Sequence, residues 1–260
     1  MHLRCACISG LVLLGACAPS GEPARAEAAT TTDSSATAVA PAPAVSTPAP
    51  AVTLNPERNK EVGLVFESWL SPWQEGDEES NTPSSTPAKF KSTTPSQTRA
   101  QREAAGHRAH GIVRFSNDLS RAWVDVKVEG VDLAAVNMFH IHCGRPGILG
   151  PILVDFSQAT DVKQNIADGT FSVEITDETI VKTAQSGEGL VGVMTMGCTI
   201  PSPSLGSTGP VKTSTIAGMA LLARAGELYF NLHTTGQTYY GDVRGQLLPA
   251  AAATRTASGS

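Results

Sequence analysis

The sequence predicts an all-β fold, an antiparallel β-sandwich or Greek-key barrel carrying one or two short helices. Three observations predict it. Apolar and polar residues alternate with a period of two in several short runs, Gly and Pro turn signals separate those runs, and few segments show helical spacing. One domain over residues 55–249 accommodates all of them.

Val62–Leu70 is the first apolar run and reads as a strand. Residues 71–108 then turn polar, with prolines at 72, 83, 87 and 95, and read as an insertion with little regular structure beyond one short helix near 101–105. Its acidic cluster, Glu75, Asp77, Glu78 and Glu79, lacks the ligand spacing of a calcium loop and reads as a solvated segment. His107 and His110, three apart in polar surroundings, are expected to be solvated as well. In Arg121–Glu129, Ala122, Val124, Val126 and Val128 alternate with Trp123, Asp125, Lys127 and Glu129, the signature of a strand with one buried face. Phe171, Val173 and Ile175 repeat it, residues 190–196 form a further run, and Leu228, Phe230 and Leu232 alternate with Tyr229, Asn231 and His233. Residues 242–248 form the last strand. Asp177–Gln185 and 215–225 read as short helices, the second stopped by Gly226. Residues 179–190 and 215–228 echo each other loosely, equally compatible with duplication and with coincidence.

The two ends read differently. Arg4 precedes a short apolar run at 8–14, too short to span a bilayer, and Leu14-Gly15-Ala16-Cys17 closes it in the manner of a bacterial lipobox. Residues 1–16 are therefore expected to be a signal peptide and Cys17 a lipidated anchor, giving a cell-envelope location with the membrane as a partner. The alternative is an ordinary signal cleaved after Ala24-Arg25-Ala26. In a Gram-negative host, Ala18 after the cysteine would favour the outer membrane, with the domain facing the periplasm. Residues 17–54, rich in Ala, Pro, Ser and Thr, cannot bury enough apolar surface to offset chain entropy and read as a disordered tether, and 250–260 as a disordered tail. The net charge of -5, with no Lys/Arg block, excludes a nucleic-acid partner.

Once the signal is removed and Cys17 carries lipid, Cys143 and Cys198 remain, an even count in an oxidising compartment, and a disulfide between them is expected. The competing reading makes Cys143 a thiolate metal ligand beside His140 and His142. Strand alternation opposes it, because Phe139, Ile141 and Cys143 project to one face and His140 and His142 to the other, the two histidines roughly 7 Å apart. If the apolar side is the core, both imidazoles face outward, and His233 does so on its own strand. Three imidazoles on adjacent strands suit copper or zinc, with Met138 on the same face as a soft fourth ligand for Cu(I). The alternative is structural: histidines bonded to backbone carbonyls, with Asp242 and Arg244 completing a polar network that locks the glycine turns at Gly144, Gly147 and Gly150. No Gly-x-Ser-x-Gly, His-Glu-x-x-His or phosphate-cradling loop occurs, so no catalytic residue is assigned.

HIHCGRPGILGPILVDF, with the later GELYFNLHTTGQTYYGDVRGQL, resembles the CHRD domain, named from chordin and found also in bacterial secreted proteins. The family pattern falls on His140, Ile141, His142, Gly144, Gly147, Gly150 and Pro151, then on Leu232, His233, Thr234, Gly241, Asp242, Val243, Arg244, Gly245, Gln246 and Leu247. The chain departs from it in lacking Val-Pro-Pro after Glu75, in the polar insertion, and in residues 187–213, which add a strand and Cys198. The resemblance implies a β-sandwich module outside the cytoplasm with no established catalytic role. The leading expectation is a non-enzymatic envelope lipoprotein binding a protein or glycan partner. The alternative is a copper or zinc protein using His140, His142 and His233 for sequestration or redox work. A His-x-His strand pair also occurs in copper/zinc superoxide dismutase, but that family's further histidines and bridging Asp have no counterpart here, which leaves metal-dependent redox activity a secondary expectation.

Overall fold

The computed structural model describes residues 60–186, 198–200 and 211–250. The expected signal segment, Cys17, the tether, the run at 190–196 and the tail after Ala250 all lie outside the described residues.

Two antiparallel sheets pack face to face, as the alternation predicts. The first has the order β11-β1-β2-β3-β6, built from β1 (Val62–Leu70), β2 (Arg108–Ser116), β3 (Arg121–Glu129), β6 (Thr170–Thr176) and β11 (Leu248–Pro249). The second has the order β10-β9-β4-β5, from β4 (Val136–Cys143), β5 (Ile152–Asp155), β9 (Leu228–Thr234) and β10 (Val243–Gln246). A separate two-stranded ribbon joins β7 (Thr199–Ile200) to β8 (Val211–Lys212). The two large sheets meet along one edge, where Ser71, just past β1, exchanges both backbone hydrogen bonds with Arg244 of β10, at 2.9 and 3.2 Å.

The inward residues of each strand form one core. Val124, Val126, Phe171 and Ile175 of the first sheet face Phe139, Ile141, Phe230 and Leu232 of the second, all buried. The Phe139 ring lies at its centre, 4.9 Å from Phe156, 5.1 Å from Phe171 and 5.6 Å from Phe230. The outer face of β3 is less exposed than alternation suggests. Asp125 is buried there in an ion pair with Arg114 and accepts a 2.6 Å hydrogen bond from Ser172, while the Trp123 indole donates to Glu174.

Short helices fill the connections. α1 (Arg99–Ala104) starts at a capping box in which Thr98 accepts from the Gln101 N–H and Gln101 accepts from the Thr98 N–H. α2 (Val162–Asn165) is a single turn capped by Asp161. α3 (Asp177–Gln185) lies against β5, where the Thr183 hydroxyl accepts from the Asp155 N–H at 2.9 Å. α4 (Ile216–Arg224) is capped by Thr215, and its Ile216 N–H donates to Asp177 at 2.7 Å, tying the two helix starts together. Among the described residues no helix is long and apolar enough to cross a membrane.

The disulfide expected between Cys143 and Cys198 is present, joining the end of β4 to the residue before β7 across 55 positions. Chain-entropy reasoning for a closed loop of that length gives about 4 kcal/mol of stabilisation. Cys198→Ala should lower the unfolding free energy by about 2–5 kcal/mol, read by denaturant titration under oxidising conditions. Phe139→Ala should cost about 3–5 kcal/mol in the same assay, because the packed rings around it cannot close the space.

Candidate metal centre

The pairing of β4 with β9 places the histidines. Met138 lies opposite His233, His140 opposite Asn231 and His142 opposite Tyr229, so all six share the face turned away from Phe139, Ile141, Phe230 and Leu232. His233 is thereby diagonal to His140 across the strand pair. His140 Nδ1 stands 3.3 Å from His233 Nε2, and one nitrogen from each of the three rings lies within 4.8 Å of the others. Metal–nitrogen bonds of about 2.0–2.1 Å in a tetrahedral set separate two donors by about 3.3–3.4 Å. The His140–His233 edge already has that separation, and His142 completes the set with a modest approach.

The outer nitrogens decide which tautomer each ring adopts. His142 Nδ1 donates to the Gly150 carbonyl at 2.9 Å, and His233 Nδ1 donates to the Thr238 carbonyl at 3.0 Å. His140 Nε2 faces the Asp155 carboxylate at 3.8 Å. The carbonyls behind His142 and His233 leave the inner nitrogen of each of those rings as a bare lone pair, while His140 has the more distant Asp155 carboxylate on its outer side. His142 Nε2 is buried with no hydrogen-bond partner, and His140 Nδ1 and His233 Nε2 face each other at hydrogen-bond distance, the tautomer of His140 setting whether a proton lies between them. Burial holds His140 and His142 well below the ordinary histidine value of 6.5, reinforced by the neighbouring His233 and His140 respectively. Burial also lowers His233, to about 4, against the opposing pull of the Thr238 carbonyl. Buried, neutral, converging imidazoles are donors of the kind that zinc and copper take.

The expectation that these rings face outward holds for the sheet but not for solvent. Their exposures are only 4%, 2% and 3%, because a polar layer covers this face. The 144–150 turn folds over His142. Gly150 approaches so closely that a Cβ there would overlap the Cys143 carbonyl, and its N–H donates to the Tyr229 hydroxyl at 3.1 Å. Tyr229 stacks on His142 with centroids 5.0 Å apart, and the Arg244 guanidinium carbon lies 3.5 Å from the centroid of the Tyr229 ring. Arg244 also donates to the Arg145 carbonyl at 3.0 Å, which brings it to the glycine turn. Gly144 bonds back to the Glu227 carbonyl, and Gly147 takes a left-handed φ of 78° within the turn.

The polar insertion supplies more of this cover, which corrects the solvated reading of its acidic cluster. Glu79 is buried and accepts from the Ser92 hydroxyl at 2.6 Å and from the Tyr239 and Tyr240 N–H groups at 3.1 and 3.2 Å. Ser92 in turn accepts from the Thr238 N–H at 3.1 Å, and Thr238 is the residue whose carbonyl holds His233. Glu78 pairs with Arg99 at 2.8 Å. His107 is also buried rather than solvated, its Nδ1 2.6 Å from Asp242, whose other oxygen accepts from Thr234. Asp242 therefore serves His107 and β9, not the glycine turn. His110 is largely covered by Trp69, at 4.2 Å between ring centroids, and lies 3.6 Å from Glu67.

A cleft of about 670 Å³ opens beside the site, lined by Met138, His140 and Asp155 among others. Met138 is half-buried on its wall. The sequence did not signal Asp155, Thr238, Tyr229 or Glu79. Only the β4–β5 and β4–β9 registers and the fold of the insertion bring them to the histidines. The CHRD domain model matches residues 90–247, a span containing all three histidines and the glycine turn. No curated protein and no solved structure matches the chain.

Glu75, at the start of the insertion, is a further buried carboxylate. Burial pushes it up from 4.5 to about 8, against the attraction of Arg244. Its Oε2 and the Asn231 Oδ1 are both without partners, and both border the space that a Gly241 Cβ would occupy. A proton on Glu75 gives this pair of oxygens the donor it lacks. Because the folded value lies above the unfolded one, the contribution to stability is complete below 4.5 and is lost as pH rises through about 8. Glu75→Gln should flatten the pH dependence of unfolding across that window and make the variant more stable than the parent at pH 8, measured by denaturant titration at pH 5 and pH 8.

Proposed function

The chain belongs to the CHRD domain family, and from that premise we propose that it is an extracytoplasmic binding module whose ligand is a copper or zinc ion held by His140, His142 and His233. The observation that carries this reading is the convergence of the rings: one nitrogen from each meets the others in a buried space, with backbone carbonyls behind the outer nitrogens of His142 and His233 and a carboxylate beyond that of His140. Histidines serving only to fix loops would have no reason to converge. Two of these rings do bond to loop carbonyls, so the structural role and the metal role share the same hydrogen bonds. Three imidazoles leave room for a fourth donor, and Met138, opposite His233 in register, is the soft donor that would favour Cu(I).

The ion would be sequestered beneath the polar cover, and redox chemistry at copper would be a further use of the same donors. The disulfide fits an oxidising compartment. The lipobox-like segment supports attachment at Cys17, with residues 17–54 holding the domain away from a cell-envelope membrane. A second reading, recognition of a protein or glycan, is favoured by Trp69 and Trp73, which expose 45% and 59% of their surfaces near the start of the insertion.

After loading with Cu(II) or Zn(II) and dialysis, elemental analysis should find one ion per chain, lost in His140→Ala and in His233→Ala. With free metal at a hundred times the dissociation constant, the parent should gain about 2.7 kcal/mol in unfolding free energy. Equal metal content in the parent and both variants would overturn the assignment.

A further inference from the structure

We propose that Asp155 is the positioning residue of this centre, holding His140 in the tautomer that turns Nδ1 toward the other two rings. This rests on the metal reading above and adds a residue to it. His140 differs from its two partners in one respect: its outer nitrogen has no backbone carbonyl behind it. His142 and His233 each donate to a carbonyl of a turn, at 2.9 and 3.0 Å, and the backbone fixes their tautomers. His140 sits within β4, where its own backbone is engaged by the neighbouring strands, so its orienting group must come from a side chain. β5 supplies it. Asp155 is the register partner of His140, and its Oδ1 lies 3.8 Å from His140 Nε2.

The carboxylate is itself held. Oδ1 accepts the Ser157 N–H at 2.9 Å, which caps the turn after β5, and the Asp155 N–H donates to Thr183 of α3 at 2.9 Å. The side chain is thus tied to a turn and its backbone to a helix, while 22% of it remains exposed in the cleft beside Met138. A negative oxygen facing Nε2 favours a proton there. If Nε2 carries the proton, Nδ1 is the lone pair, and Nδ1 is the nitrogen 3.3 Å from His233 Nε2. With the opposite tautomer the Nδ1 proton would point into the donor set and block it. A carboxylate behind a metal-binding histidine is a recurrent way of setting both tautomer and basicity, and loss of such a group weakens metal binding by about 10- to 100-fold.

Asp155→Asn separates the roles of this side chain, because Asn keeps an oxygen for the Ser157 N–H and removes the charge. Asp155→Ala removes both. Nitrogen NMR of the histidine rings in the metal-free chain should show His140 protonated at Nε2 in the parent and a mixture of tautomers in Asp155→Asn. Zn(II) affinity, measured by competition with a chelating indicator, should fall about 10- to 100-fold in Asp155→Asn while its metal-free melting temperature stays that of the parent. Asp155→Ala should lose melting temperature as well. A His140 already protonated at Nδ1 in the parent, or an unchanged tautomer and affinity in Asp155→Asn, would overturn the proposal. A chain that binds no Zn(II) would instead refute the metal reading, and the tautomer measurement would still decide whether Asp155 orients the ring.

Discussion

The register between β4 and β9 is the constraint on which the rest of this molecule depends. Strand side chains alternate strictly, so a slip of β4 by one residue would send His140 and His142 into the core and bring Phe139 and Ile141 out of it. The core therefore enforces the site. Phe139 and Phe230 pack on one side of the same backbone that presents the histidines on the other, and the stability of the aromatic cluster becomes the precision of the donor set. The same two strands bring one nitrogen from each of the three rings within 4.8 Å of the others.

Covering that face is the task of segments that carry little regular structure. The glycine turn, the loop after β9 and the polar insertion close over the histidines through hydrogen bonds rather than apolar contact. The chain from Glu79 through Ser92 and Thr238 to His233 shows the logic: a buried carboxylate in the insertion organises a loop whose carbonyl orients an imidazole. Such a layer excludes water from the rings, which keeps them neutral, and supplies the carbonyl acceptors that set the tautomers of His142 and His233. It also leaves buried polar atoms without partners, among them Glu75 Oε2, Asn231 Oδ1 and His142 Nε2. Desolvation on this face is thus part of the design of the site and a cost to the fold at once.

Much of the sandwich was legible in the sequence, because period-two alternation is a local signal. β1, β3, β6 and β9 stand where it put them, as do the short helices and the disulfide. The start of β2 was hidden by small inward residues: at Gly111 the space a side chain would fill is taken by the Phe230 ring, so the apolar beat goes silent there. β5 is only four residues long and nearly all apolar, which gives alternation no contrast. The convergence of His140, His142 and His233 was readable as a possibility from strand faces alone. Their burial was not, because the groups that cover them come from residues 71–108 and from the loop after β9, whose polar composition looks like that of solvated chain. Asp155 was invisible for a related reason: a carboxylate acquires its meaning only when a neighbouring strand is paired in register beside it.

Cys143 follows His142 directly, so the disulfide clamps the end of the strand that carries two of the three donors. The bond touches no ligand atom, yet it denies that strand end the freedom to fray. In an oxidising compartment the covalent closure therefore acts on the same strand end that presents His140 and His142. In reducing surroundings the strand end would keep its two histidines and lose the covalent clamp beside them.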